Sequence, residues 1–175
     1  LLDNASIAAI LEPDADMRST AAKLAPDATF VEDVSAMAQR NDIDALVIAS
    51  PNHLHIDQIE MLSANPRPLL VEKPLYTDTA QAARLEAIAA SYKAPVWVAM
   101  EYRYMPAVRR LIDEIPASTG DMKMLTIREH RFPFLPKIGD WNRFNSNTGG
   151  TLVEQCCHFF DLMRLITGGE AVRVL

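Results

Sequence analysis

Three short apolar runs constrain this chain most: residues 45–49 (ALVIA), 69–71 (LLV) and 96–100 (VWVAM) are continuous rather than alternating. A strand with one wet face alternates apolar and polar side chains, so a run that is apolar throughout belongs in a parallel sheet covered on both faces. Parallel neighbours need crossover connections, and helical stretches separate the runs: residues 54–64, with Ile56, Ile59 and Leu62 near one face, and the Ala-rich 79–92. Upstream the alternation continues with a strand over 6–11 (SIAAIL), a helix over 16–24 stopped by Pro26, a brief strand at Phe30 and Val31, and a short helix over 34–40. The right-handed crossover rule makes this an α/β chain with a doubly wound parallel sheet.

The pattern changes after Met105. Residues 106–115 read as a helix, whereas 122–131 (MKMLTIREHR) alternate in the manner of an antiparallel strand with one wet face. Residues 130–148 carry aromatics, prolines and a Trp-Asn-Arg cluster without periodicity, and a stretch of that length without structure is more often functional than idle. A helix returns over 150–167, closed by Gly168 and Gly169, and 172–175 read as the start of a strand. Two units follow from this: residues 1–106 as a partial dinucleotide-binding domain, and 107–175 as the start of an α+β domain with a mainly antiparallel sheet.

Composition limits the function classes. The chain has 175 residues, with 17 Lys and Arg against 23 Asp and Glu, and no basic run. That balance argues against nucleic acid or an anionic membrane surface as partner. No apolar stretch approaches the ~20 residues of a membrane span, and a cytoplasmic protein is expected. The two cysteines, Cys156 and Cys157, are adjacent, with Cα atoms ~3.8 Å apart, too close for an ordinary disulfide. No Cys-x-x-Cys or His-x-x-x-His spacing links His53, His55, His130, His158 and the cysteines, so no metal site is expected.

Chemistry collects where the strands end. The first strand ends in Glu12-Pro13-Asp14, an acid where a dinucleotide-binding sheet places the acceptor for the adenosine ribose hydroxyls; a solvated turn accounts for the same residues. Residues 45–49 run into Ser50-Pro51-Asn52-His53-Leu54-His55, and 69–71 run into Glu72-Lys73-Pro74. Pro74 restricts the backbone of Lys73 and so aims its side chain, although a surface Glu–Lys pair fits the residues equally well. Further on, Glu154, His158 and Asp161 are spaced i, i+4, i+7, so one helix puts two acids beside a histidine on a single face. Such flanking acids hold an imidazole's tautomer and raise its basicity, as proton transfer requires. The glycine pattern G-x-G-x-x-G, which follows the central first strand of a Rossmann-type sheet, does not occur. The expectation is a Rossmann-type sheet whose first βα unit lies upstream of Leu1, in a chain cut at both ends.

Taken in order, the acid after a strand, S-P-N-H-L-H, V-E-K-P-L, V-A-M-E-Y-R-Y-M-P and G-G-T-L-V-E-Q-C-C-H-F-F-D-L resemble the Gfo/Idh/MocA family of nicotinamide-dependent oxidoreductases over essentially the whole chain. The resemblance implies hydride transfer between a secondary alcohol of a sugar, polyol or cyclitol and the cofactor. It gives the catalytic roles to Lys73 and His158, with Glu154 standing where the family usually has Asp. It also implies that Glu12, Ser50, Pro51, Asn52, His55, Glu72, Lys73, Tyr102 and Arg103 line the cofactor cleft. Trp141 and Arg143 join Lys73, Glu154 and His158 as substrate contacts, though a packing lid with a solvated Arg accounts for the first two equally well. Glu12 would accept from the ribose hydroxyls and repel a 2′-phosphate, so NAD is expected over NADP; Arg18 stands a turn or more into the following helix. A homo-oligomer is expected at full length, and these 175 residues alone are not expected to bind NAD. Two other readings stay open: a non-catalytic NAD(P)-binding regulator, and a glycosidase that uses bound NAD.

Overall fold

In the computed structural model the described residues are 3–118, 120, 122–130 and 135–174. Three aspartates start three of the helices. Asp14 caps α1 (Ala15–Leu24) by accepting from the amides of Asp16 and Met17, Asp33 caps α2 (Val34–Gln39) at Ala36, and Asp78 caps α4 (Thr79–Ser91) at Gln81. Each carboxylate satisfies first-turn donors that have no partner inside the helix, and its charge suits that end of the helix dipole.

The strands are parallel throughout. β1 (Ala9–Ile10) pairs with β2 (Thr29–Phe30), and a separate sheet runs in the order β3 (Leu46–Ile48), β4 (Leu69–Val71), β5 (Val96–Val98). Leu46 lies opposite Leu69, and Leu69 opposite Val96. Among the described residues no strand bridges β1 and β3. The α/β architecture read from the continuous apolar runs is therefore the one observed.

Cover of the sheet is one-sided. Leu46, Ile48, Leu69 and Val71 join Ile56, Ile59 and Leu62 of α3 (His55–Leu62) and Ile88 of α4 in one buried cluster. On the other face Val47, Leu70 and Trp97 stand in register with 68%, 40% and 58% exposure. Cover on both faces was expected; among the described residues only one face has helices against it, which corrects that expectation.

The second region departs further from the sequence reading. Residues 122–130 form no strand and neither do 172–174, because alternation selects a wet and a dry face but a ladder also needs a partner strand. The expected antiparallel sheet is thus not formed among the described residues; Arg131 and Leu175 lie outside them. The chain instead follows α5 (Pro106–Ser118) with a 3₁₀ turn, Ile138–Arg143, and a short α6, Asn145–Thr148. The single helix expected over 150–167 is two, α7 (Thr151–Glu154) and α8 (Cys157–Thr167). At the break the Thr151 carbonyl accepts from both Gln155 and Cys156, at 3.0 and 3.1 Å, and the His158 amide turns to Gln155 instead of Glu154. This is the geometry of a one-residue bulge.

Candidate active site

The loops after β3 and β4 meet the segment that runs from α6 into α7. Beyond β1, the Glu12 carboxylate accepts the Asp14 amide at 2.9 Å. Arg18, on α1, pairs with Glu32 and lies over the Phe30 ring. Beyond β3, Ser50 donates to Gln58 at 2.7 Å, and a 3₁₀ turn, Asn52–Leu54, buries Asn52 with its amide nitrogen unpartnered among the described residues. Beyond β4 the ladder runs on as the Glu72 amide donates to Ile48, so Lys73 starts where the sheet stops. Its own amide donates to the Glu72 carboxylate at 3.2 Å, and the Lys73–Pro74 peptide is cis.

Lys73 and the second region meet at the helix break. The ammonium donates to the Glu154 carbonyl at 3.0 Å, and the Cys157 thiol donates to the same oxygen at 3.4 Å. The bulge thus lies where α7 receives a charge from the β4 loop. Gly149 keeps the two regions close: with φ of 75°, it rests against the Thr77 carbonyl, which a Cβ there would meet at 2.5 Å. Only glycine combines that φ with that approach.

His158, in the first turn of α8, is buried under Tyr102, whose ring stacks on the imidazole at 4.2 Å and 5°. Nε2 faces a Glu101 carboxylate oxygen at 3.4 Å, while Nδ1 is buried without a hydrogen-bond partner among the described residues. Asp161, one turn along, is held by Arg103 through Nε at 2.5 Å and through the second guanidinium nitrogen. Burial pushes the His158 imidazole below its ordinary pKa; the Lys73 charge acts the same way, and Glu101, Asp161 and Glu129 oppose it. Burial also pushes the Cys157 thiol up, so it stays protonated.

Several expected roles shift. Glu154, His158 and Asp161 were read as one face of one helix, but the bulge splits that helix after Glu154, and Asp161 is spent on Arg103. Arg103, read as cofactor-facing, is correspondingly a brace. His55 is wholly buried, with Nδ1 2.9 Å from the Pro74 carbonyl and Nε2 2.9 Å from that of Ser50. It ties the β3 loop to the β4 loop and shows no face to a ligand. Trp141 is half-buried and Arg143 exposed; Arg143 pairs with Asp140, and no hydrogen bond or ion pair joins either to Lys73 or His158 among the described residues. Glu101 was not singled out, although it follows an apolar run just as Glu12 and Glu72 do. A 420 Å³ cavity lined by Leu111, Ile115, Met122, Met124, Leu125 and Ile166 holds none of these residues.

Comparison with known proteins decides the family. The model for the oxidoreductase family's NAD-binding Rossmann fold matches residues 2–100, and that for its C-terminal alpha/beta domain matches 117–175. The chain belongs to the Gfo/Idh/MocA oxidoreductase family. Within it, the chain is 30% identical over 147 residues to inositol 2-dehydrogenase of Rhizobium meliloti (strain 1021), covering 82% of this chain and 42% of that protein. It is 27% identical over 140 residues to the rhizopine catabolism protein MocA of Rhizobium meliloti, covering 79% and 43%. The WlbA (WbpB) dehydrogenase of Thermus thermophilus, solved with NAD and UDP-GlcNAcA, superposes with a TM-score of 0.69 at 26% identity, covering 92% of this chain and 54% of that one. The chain spans about half the length of the curated Gfo/Idh/MocA relatives it matches.

The residues present fit part of a dinucleotide. Asn52 offers an unpartnered buried donor in a loop at the carboxyl end of a strand, and Glu12 offers a carboxylate at another. The described residues contain no cluster of three or more potential metal ligands, and no helix among them is long and apolar enough to cross a membrane.

Proposed function

We propose that this chain carries the proton-handling and cofactor-facing residues of an NAD-dependent dehydrogenase that oxidises a secondary alcohol of a sugar, polyol or cyclitol. The observation that carries this reading is that the Lys73 ammonium, 85 positions from His158 in sequence, is held on the Glu154 carbonyl near enough to depress the His158 imidazole. Oxidising an alcohol requires a base for the hydroxyl proton and a donor for the reacting oxygen. His158, held neutral by burial and by the nearby ammonium, accepts the proton. An ammonium has three donors, and Lys73 spends one on Glu154; the others hydrogen-bond the reacting oxygen and stabilise charge developing there. Bound oxidised nicotinamide supplies the hydride acceptor. Glu12, Asn52 and the backbone of Ser50 and Pro51 hold the dinucleotide, and Glu154 bears on substrate from the end of α7.

The test uses the whole protein with NAD and a panel of inositols and sugars, followed by absorbance of the reduced cofactor. Turnover is expected, with Lys73→Ala and His158→Ala each losing ~10²-fold or more in kcat. Retention of more than about a tenth of wild-type kcat by both variants overturns the assignment. Glu12 favours NAD over NADP, because its carboxylate accepts from ribose hydroxyls and repels a 2′-phosphate. Glu12→Ala should shrink the NAD:NADP ratio of kcat/KM, and an unchanged ratio removes Glu12 from that role.

A further inference from the structure

Three consecutive residues of the 3₁₀ turn Glu101–Tyr104 grip His158 and its helix. Glu101 presents a carboxylate to Nε2 at 3.4 Å, Tyr102 covers the ring face, and Arg103 clamps Asp161 one turn down α8. The stack is itself anchored. The Tyr102 hydroxyl donates to Glu129 at 2.6 Å, and the buried Gln155 donates to both, at 3.4 Å to the hydroxyl and 3.1 Å to the carboxylate. Gln155 sits at the helix break, so one local irregularity presents both the Glu154 carbonyl to Lys73 and the Gln155 amide to the Tyr102–Glu129 pair. With the ring plane and the helix both fixed, the remaining freedom of a neutral imidazole is which nitrogen carries its proton.

We propose that Glu101 is the positioning carboxylate of His158, holding the imidazole proton on Nε2 so that Nδ1 is the atom that accepts the substrate proton. This rests on the dehydrogenase reading and adds to it the partner and the reacting atom. A carboxylate 3.4 Å from Nε2 favours the proton on that nitrogen by its charge, which leaves the lone pair on Nδ1. Nδ1 is buried with no hydrogen-bond partner among the described residues, as a proton acceptor kept for a ligand would be. Glu101 does not act alone on the ring. Lys73 from the β4 loop, Asp161 from α8 itself and Glu129 from the segment 122–130 also face it electrostatically, and among the carboxylates Glu101 acts most strongly. Removing its charge while keeping its shape therefore makes His158 a weaker base. It also releases the tautomer, since an amide presents both a donor and an acceptor to Nε2.

The experiment is a nitrogen-15 NMR titration of the four histidines, with pH profiles of kcat/KM measured on the whole protein. Wild type should show His158 with a protonated Nε2 and a pyridine-like Nδ1. Glu101→Gln should mix the tautomers, lower the proton affinity of His158 about threefold to tenfold, and move the acid limb of kcat/KM to lower pH by the same factor. Glu101→Asp, which keeps the charge, should restore most of both. Glu101 is largely exposed, so neither variant threatens the fold. A wild-type ring protonated on Nδ1, or a Glu101→Gln variant with unchanged tautomer and titration, overturns the proposal. If instead Lys73→Ala and His158→Ala keep their activity while the tautomer is as stated, the dehydrogenase reading fails and the Glu101–His158 pairing stands.

Discussion

His55 and His158 sit in equivalent places, each in the first turn of a helix that follows a loop of the site, and they are 0% and 2% exposed. Their surroundings differ nitrogen by nitrogen. Both ring nitrogens of His55 meet backbone carbonyls, one on the β3 loop and one on the β4 loop. His158 meets one carboxylate and leaves the other nitrogen orphaned beneath an aromatic lid. Burial alone therefore does not mark a reactive histidine. The surroundings of the ring nitrogens do: a ring wedged between two backbone carbonyls supports a structure, while one with a nitrogen left without a partner among the described residues awaits a ligand.

The same substitution at both positions tests this contrast most severely. His55→Leu removes the ring whose N–H one of two carbonyls accepts, and should cost about 1–3 kcal/mol in urea unfolding. His158→Leu removes Nδ1, which has no partner among the described residues, and a contact to the exposed Glu101, and should cost no more than about 1 kcal/mol. Equal losses would erase the distinction. A smaller effect isolates the charge on the reactive ring. Lys73→Met removes the cation that depresses His158, so the titration of that imidazole should rise, opposite in sign to Glu101→Gln, by about threefold in proton affinity. A fall, or no movement, would mean that the ammonium does not act on the ring. The smallest effect is on stability against pH. Because His158 is depressed when folded, its contribution is held above the ordinary imidazole range and lost as pH falls through about 6.5 toward the lowered folded value. The wild type should therefore lose more stability than His158→Leu across that window, and parallel curves would count against it.

The sequence carried most of this unevenly. The strand at Leu69–Val71 was legible to the residue, and the helices of the first region to within a few residues, because continuous apolar runs and Asp caps are local signals. The alternation over 122–130 was equally local, but strand formation is a property of pairs, and no partner strand stands beside it among the described residues. The bulge after Glu154 was not legible, since no glycine or proline marks positions 154–157. That irregularity, not the helical spacing, decides which groups surround His158. Glu101 carries a signal in the sequence, an acid just past an apolar run, beside the adjacent Tyr102 and Arg103. Its role follows only from the turn that folds it back over α8.

Gly149 bears on the tolerances of this site. Its contact with the Thr77 carbonyl has no side chain in it, so it has no rotamer to adjust and little to compress. Thr77 is four positions from Lys73, and Gly149 five from Glu154. The gap across which ammonium and imidazole work is therefore gauged by the thickness of two peptide backbones, as a machined stop sets a clearance.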